Sequence, residues 1–163
     1  MKIKLLSLTA LIALIAFSSC KKSSGSGIAA GEISATINDT FHTFKNVVEI
    51  EEVHIGDEEG FLGSVADSST SPVNGIGIEV VTTTGGALKP ITYLDTDTSA
   101  HVLIELELNG IEYESAGAHL SPSKISLGGY LQGTFSGKLY EGGDSTSTTT
   151  ATVTNGKFNF SLY

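Results

Sequence analysis

Four glutamates flank an Asn-Gly pair, Glu105 and Glu107 before Asn109-Gly110, Glu112 and Glu114 after it, the two on each side separated by one apolar or aromatic residue. Asn-Gly suits both positive-φ positions of a type I′ turn, so two residues can reverse the chain here. That reversal sets Leu108 opposite Ile111, Glu107 opposite Glu112, Leu106 opposite Tyr113 and Glu105 opposite Glu114, with the four carboxylates on one face. Like charges held directly opposite are unfavourable by a few tenths to about 1 kcal/mol per pair. Such a row must be solvated, neutralised by a lysine such as Lys138 or Lys157 from a neighbouring strand, or bound to a divalent cation. Glu105, Glu107, Glu112 and Glu114 are therefore the candidate cation ligands, with calcium the candidate ion.

Other chemistry-bearing residues are sparser. Gly133-Thr134-Phe135-Ser136-Gly137 has the wrong spacing for a nucleophile elbow and lies inside a strand pattern, so Ser136 reads as a strand residue. The histidines, His42, His54, His101 and His119, lack the spacing of a zinc site. Asp95-Thr96-Asp97-Thr98-Ser99 begins like a calcium loop, but Leu106 stands where the twelfth-position glutamate is needed, and it reads as a solvated loop. A carbohydrate platform would draw on Tyr93, Tyr113, Tyr130 or Tyr140, since the chain has no tryptophan. No catalytic residue is assigned, and the chain reads as a non-enzyme.

Cys20 is the single cysteine and closes an apolar run from Leu5 to Phe17 that follows Lys2 and Lys4. The run is too short to span a bilayer as a helix. Residues 1–19 thus read as a signal peptide, with Cys20 as the lipidated residue and residues 20–30 as a Ser/Gly tether. Once residues 1–19 are removed, seven lysines and no arginine stand against eighteen acids, a formal charge of −11. That field repels nucleic acid, and the chain lacks the bidentate fork suited to phosphate. A membrane held through Cys20, an envelope protein or a glycan remain as partners.

The elements that position these residues read as strands from residue 31 to 163. Ile33, Ala35 and Ile37 alternate with Glu32, Ser34 and Thr36; a three-residue reversal at Asn38-Asp39-Thr40 would set Ile37 against Phe41. Val47–Ile55 is a strand whose alternation slips at Glu51-Glu52, as at a bulge or an edge. Asp57-Glu58-Glu59-Gly60 reads as a turn, and 61–66, 76–83, 100–108 and 111–115 as strands. Residues 129–140 form another. Asn155-Gly156 predicts a second type I′ hairpin in which Thr154 faces Lys157, Val153 faces Phe158, Thr152 faces Asn159 and Ala151 faces Phe160. With no 3.6-residue period after Cys20, the fold class is all-β: a single antiparallel β-sandwich, with a β-barrel as the alternative.

Phe17-Ser18-Ser19-Cys20 resembles a bacterial lipobox. Together with Gly31-Glu32-Ile33-Ser34-Ala35-Thr36-Ile37-Asn38, the 133–137 strand and Thr154-Asn155-Gly156-Lys157-Phe158, it is similar to a family of small Bacteroidota lipoproteins catalogued as a domain of unknown function. The resemblance implies a β-rich fold and an envelope location, and it carries over no catalytic residue. Asp144-Ser145-Thr146 resembles the O-glycosylation motif of that phylum, which makes Ser145 a candidate modified residue. Lysines directly after Cys20, in place of the acids common in surface-exported members, favour the outer membrane facing the periplasm. The expected function is a lipid-anchored, non-enzymatic binding or interaction module of the cell envelope; a glycan- or lipid-directed hydrolase and a structural subunit of an envelope complex are the alternatives.

Overall fold

A computed structural model describes residues 27–55, 58–83, 87–94, 96, 98–125 and 130–161. Among the described residues, eleven strands make one antiparallel sheet: β1 (Glu32–Ile37), β2 (Thr40–Phe44), β3 (Asn46–Ile55), β4 (Glu58–Asp67), β5 (Asn74–Thr82), β6 (Tyr93–Leu94), β7 (Ala100–Leu108), β8 (Ile111–Ser115), β9 (His119–Ile125), β10 (Tyr130–Glu141) and β11 (Thr150–Ser161). The order is β2-β1-β11-β10-β8-β7-β5-β4-β3; β10 pairs with β8 through one end and with β9 through the other, and β6 pairs with β9. The sheet curls until it is nearly closed. The all-β antiparallel expectation is met, in a barrel-like form with one continuous wall. The two ends of this nine-strand path, β2 and β3, are consecutive in the chain and joined through Lys45.

Alternation builds the interior. Ile33, Ala35 and Ile37 of β1 are buried, as are Ile76, Ile78 and Val80 of β5, Val102, Ile104 and Leu106 of β7, and Phe61 and Val65 of β4. The rings of Phe61 and Phe160 meet across the interior with centroids 5.3 Å apart, and Phe158 stacks on Phe160 at 5.9 Å. Fully burying one such ring contributes roughly 1.5–3 kcal/mol.

The Asn155-Gly156 hairpin does not form. β11 runs straight through these residues, pairing with β10 as Phe135↔Gly156 and Gly137↔Val153 and with β1 as Ser34↔Lys157 and Thr36↔Thr154. Each partner advances two residues while β11 advances three, so β11 carries a bulge, with Asn155 at φ 52°. The bulge explains why hairpin and strand look alike in sequence. Val153 and Phe158 are an odd number of residues apart and would face opposite sides of a regular strand; the extra residue restores them to one face, and Ala151, Val153, Phe158 and Phe160 are all buried. Gly156 is required by close approach: a Cβ there would lie 2.5 Å from the Phe135 carbonyl oxygen. The Phe158 ring fills the matching space over Gly133, so two glycine-aromatic pairs interlock β10 with β11.

Other expectations shift by a residue or two. The first reversal is two residues long, with Ile37 paired to Thr40 and Asn38 and Asp39 at φ 46° and 65°. Asn38 clips the turn to β11, its N–H donating to the Thr152 carbonyl at 3.0 Å and its Oδ1 accepting the Thr152 N–H at 2.9 Å. β3 is an edge strand, but its bulge lies between Val47 and Glu49, not at Glu51-Glu52. Glu58, Glu59 and Gly60 belong to β4 because they pair with Ile55, His54 and Val53. β9 was not foreseen: Pro122 argues against a strand in sequence, and here it takes the position where the β9–β10 register shifts.

Candidate functional site: an acidic trough floored by glycines

The Asn109-Gly110 turn forms as the sequence requires, with φ of 55° and 78° and the pairs Leu108↔Ile111, Glu107↔Glu112, Leu106↔Tyr113 and Glu105↔Glu114. The Asn109 N–H donates to Asn74 Oδ1 at 2.8 Å, and the Gly142 N–H donates to the Glu112 carbonyl at 3.0 Å. These bonds tie the hairpin to β5 on one side and to the turn after β10 on the other.

β5 turns this hairpin into one wall of a concavity. Gly77 pairs with Ser64 of β4 and Glu105 of β7, and Gly75 with Ala66 and Glu107. Two cross-strand rows result, Ser64-Gly77-Glu105-Glu114 and Ala66-Gly75-Glu107-Glu112, and in each the glycine leaves a gap. The gaps join into an open trough of about 480 Å³, rimmed by the side chains of Val48 and Val73, which are 68% and 45% exposed.

Neither glycine is demanded by packing. A Cβ on Gly75 would come no closer than 3.7 Å to any atom, and one on Gly77 would lie 3.5 Å from Glu105 Oε2, both ordinary contacts. Both residues lack positive φ. Glycine inside a central strand gives up side-chain packing and backbone entropy, and it commonly marks a place where a ligand or another backbone approaches closely.

The wall is strongly negative. Desolvation, and then the charges of Glu114, Glu79 and Glu112, push the Glu105 carboxyl above its ordinary value. Of the three alternatives, neutralisation by the named lysines is not seen among the described residues: Lys138 Nζ lies over the Tyr140 ring, 4.9 Å from its centroid, and Lys157 is on β11 opposite Thr134. Among the described residues the ion pair is Lys45 with Glu32, at 3.6 Å. Also among the described residues, no three carboxylate, imidazole or thiol groups converge as a metal ion requires. The four glutamates thus share a wall without forming a chelating cluster.

The remaining candidates disperse. Cys20, Asp95 and Asp97 lie outside the described residues. Ser145 is exposed in the turn after β10, beside Asp144, whose Oδ1 accepts both the Thr146 hydroxyl at 2.7 Å and the Thr146 N–H at 2.9 Å. His119 stands opposite Ser136 in the β9–β10 ladder, and no hydrogen bond joins their side chains. Tyr93 and Tyr113 are core residues, 3% and 7% exposed, so they offer no sugar platform; Tyr130 and Tyr140 stand at opposite ends of β10. Sequence reasoning found the acidic wall and missed the trough's floor and rim. The signal for the floor was Gly75-Ile76-Gly77-Ile78, two glycines on one face of a strand whose other face is apolar.

No family model, no curated protein and no solved structure matches this chain. The geometry of the trough therefore carries the functional reading.

Proposed function

We infer that the chain is a lipid-anchored, non-enzymatic binding module of the cell envelope, held through Cys20, whose trough takes a cationic segment with an apolar flank, such as an extended lysine- or arginine-containing peptide. The observation that carries this reading is the pair of glycines on the floor. They keep space open beside four carboxylates where a Cβ would fit in ordinary contact. The carboxylates supply attraction for a cation, Val48 and Val73 supply apolar contact, and the depth over Gly75 and Gly77 admits a backbone. Envelope placement, on the membrane face turned to the periplasm, is supported by the lipobox-like run ending at Cys20 and the Ser/Gly stretch after it.

The test fills the trough. Gly75→Thr with Gly77→Thr should leave the fold intact, since a Cβ at either position makes only ordinary van der Waals contacts and threonine favours strands. Binding of a short Lys/Val peptide, measured by calorimetry at low salt, should be lost in this variant and weakened in Glu105→Gln with Glu107→Gln. Equal affinity of wild type and filled variant, or equal affinity for an uncharged peptide of the same length, would overturn the reading.

A further inference from the structure

Charge is segregated around the sheet. β3, β4, β5, β7 and β8 carry eleven acidic residues and no lysine, whereas β9, β10 and β11 carry Lys124, Lys138 and Lys157 against the single acid Glu141. All three lysines are exposed, as is His119. They flank one stretch of β10: Lys124 pairs with Gln132, Lys157 with Thr134 and His119 with Ser136, and Lys138 follows two residues on. A molecule of strongly negative total charge therefore has one positive face.

The chain enters the domain beside that face. Lys157 Nζ lies 3.9 Å from where a Cβ on Gly27 would stand, the Ile28 carbonyl accepts from Asn159 Nδ2 at 2.9 Å, and the Gly31 N–H donates to the Asn159 carbonyl at 2.7 Å. The root of the tether is thus hydrogen-bonded to β11 at Asn159, with Lys157 close by. Seven residue steps separate Gly27 from Cys20, a span of at most roughly 25 Å when fully extended.

We propose that the face formed by β9, β10 and β11 is a docking surface for an anionic phospholipid layer, with Lys124, Lys138 and Lys157 as the contacting residues. The inference rests on the lipid-anchor reading of Cys20. A domain tethered this closely samples the surface potential of the membrane, which decays within about one Debye length, roughly 8–10 Å. The lysine face is drawn to that potential and the five acidic strands are repelled. Docking in this way leaves the trough, centred on β5 and three strands further around from β10, off the lipid and open to solution.

The mature lipidated protein is reconstituted into vesicles of phosphatidylcholine alone and of equal parts phosphatidylglycerol and phosphatidylcholine. Its amines are acylated with a water-soluble reagent and each lysine is quantified by mass spectrometry. In the anionic vesicles Lys124, Lys138 and Lys157 should react about fivefold more slowly, the partitioning expected for a lysine held at an anionic surface. Exposed Lys89 should react at an unchanged rate, and added salt should restore all three. Equal rates in both vesicles for protein that floats with them overturns the docking surface and leaves the anchor standing. Wild type that floats no better than Cys20→Ser overturns the anchor and this proposal with it. Protection that rises with protein density and persists in phosphatidylcholine assigns the face to a second copy of the chain and also overturns the proposal.

Discussion

Glu105 is the residue in which charge and burial are most directly coupled. Its folded-state carboxyl is raised by desolvation and by Glu114, Glu79 and Glu112, so it binds a proton more readily in the folded chain than in the unfolded one. Stability is then greater at mildly acid pH and falls as pH rises from the ordinary value of 4.5 through the raised one. Asp67 and Asp144 act in the opposite sense: hydrogen bonds from the side chain and then the backbone of Ser69 and Thr146 lower them, so their contributions are lost as pH falls below 3.8. A melting-temperature profile should rise as pH falls from neutral toward the ordinary Glu105 value of 4.5 and drop in acid below 3.8. Glu105→Gln should flatten the rise and leave the acid limb; a rise unchanged in the variant would refute the assignment. Glycine positions separate into two kinds on the same physical ground. Gly133→Ala drives a Cβ into the Phe158 ring and to 2.5 Å from the Ser121 carbonyl oxygen, and Gly156→Val does the same against Phe135. Each should cost at least about 1–3 kcal/mol in denaturant titration, whereas the filled trough variant should lose nothing comparable.

At the scale of elements, the two Asn-Gly pairs carry the clearest lesson. Both asparagines adopt positive φ, 55° at Asn109 and 52° at Asn155, so the dipeptide correctly signalled a left-handed residue in each case. Whether that residue closes a turn or opens a bulge is decided by the neighbouring strands. β7 and β8 have each other as partners across Asn109-Gly110, while β11 is held between β1 and β10 along its length. Deleting Asn155 makes a sharp test. Deletion removes the extra residue and leaves Val153 and Phe158 four positions apart, on one face of a regular strand, so the domain should still melt cooperatively in circular dichroism; loss of the cooperative transition would show that the bulge is needed for more than keeping these side chains on one face. The acidic wall was legible because a two-residue hairpin is a local object. The trough's floor was not, because it exists only once β5 lies between β4 and β7, and the partner of a strand is fixed by contacts remote in sequence. β9 was hidden for a related reason: Pro122 is admissible only where the ladder shifts register.

Over the whole molecule, eleven acids on five adjacent strands repel one another, and at neutral pH that repulsion opposes closure of the sheet. Sodium chloride should therefore raise the melting temperature over the range in which it screens these charges, and charge-neutral sucrose matched for osmolality should not reproduce the initial slope. A melting temperature indifferent to salt would mean that the acids are already solvated well enough to ignore one another. The order of the strands has a further consequence, for time. β1 lies between β2 and β11, so it finds its second partner only in β11, as Glu32 with Asn159 and Ile37 with Val153. Loop closure over nearly the whole domain is slow, and folding rates fall as contacts become more distant in sequence. A chain emerging from its N-terminus can form the β1–β2 hairpin and the β3–β4–β5 meander early, yet it cannot seal the sheet until residue 161 is free. Completion of the fold is thereby coupled to the synthesis of β11, and every intermediate before that moment keeps one edge of β1 unpaired.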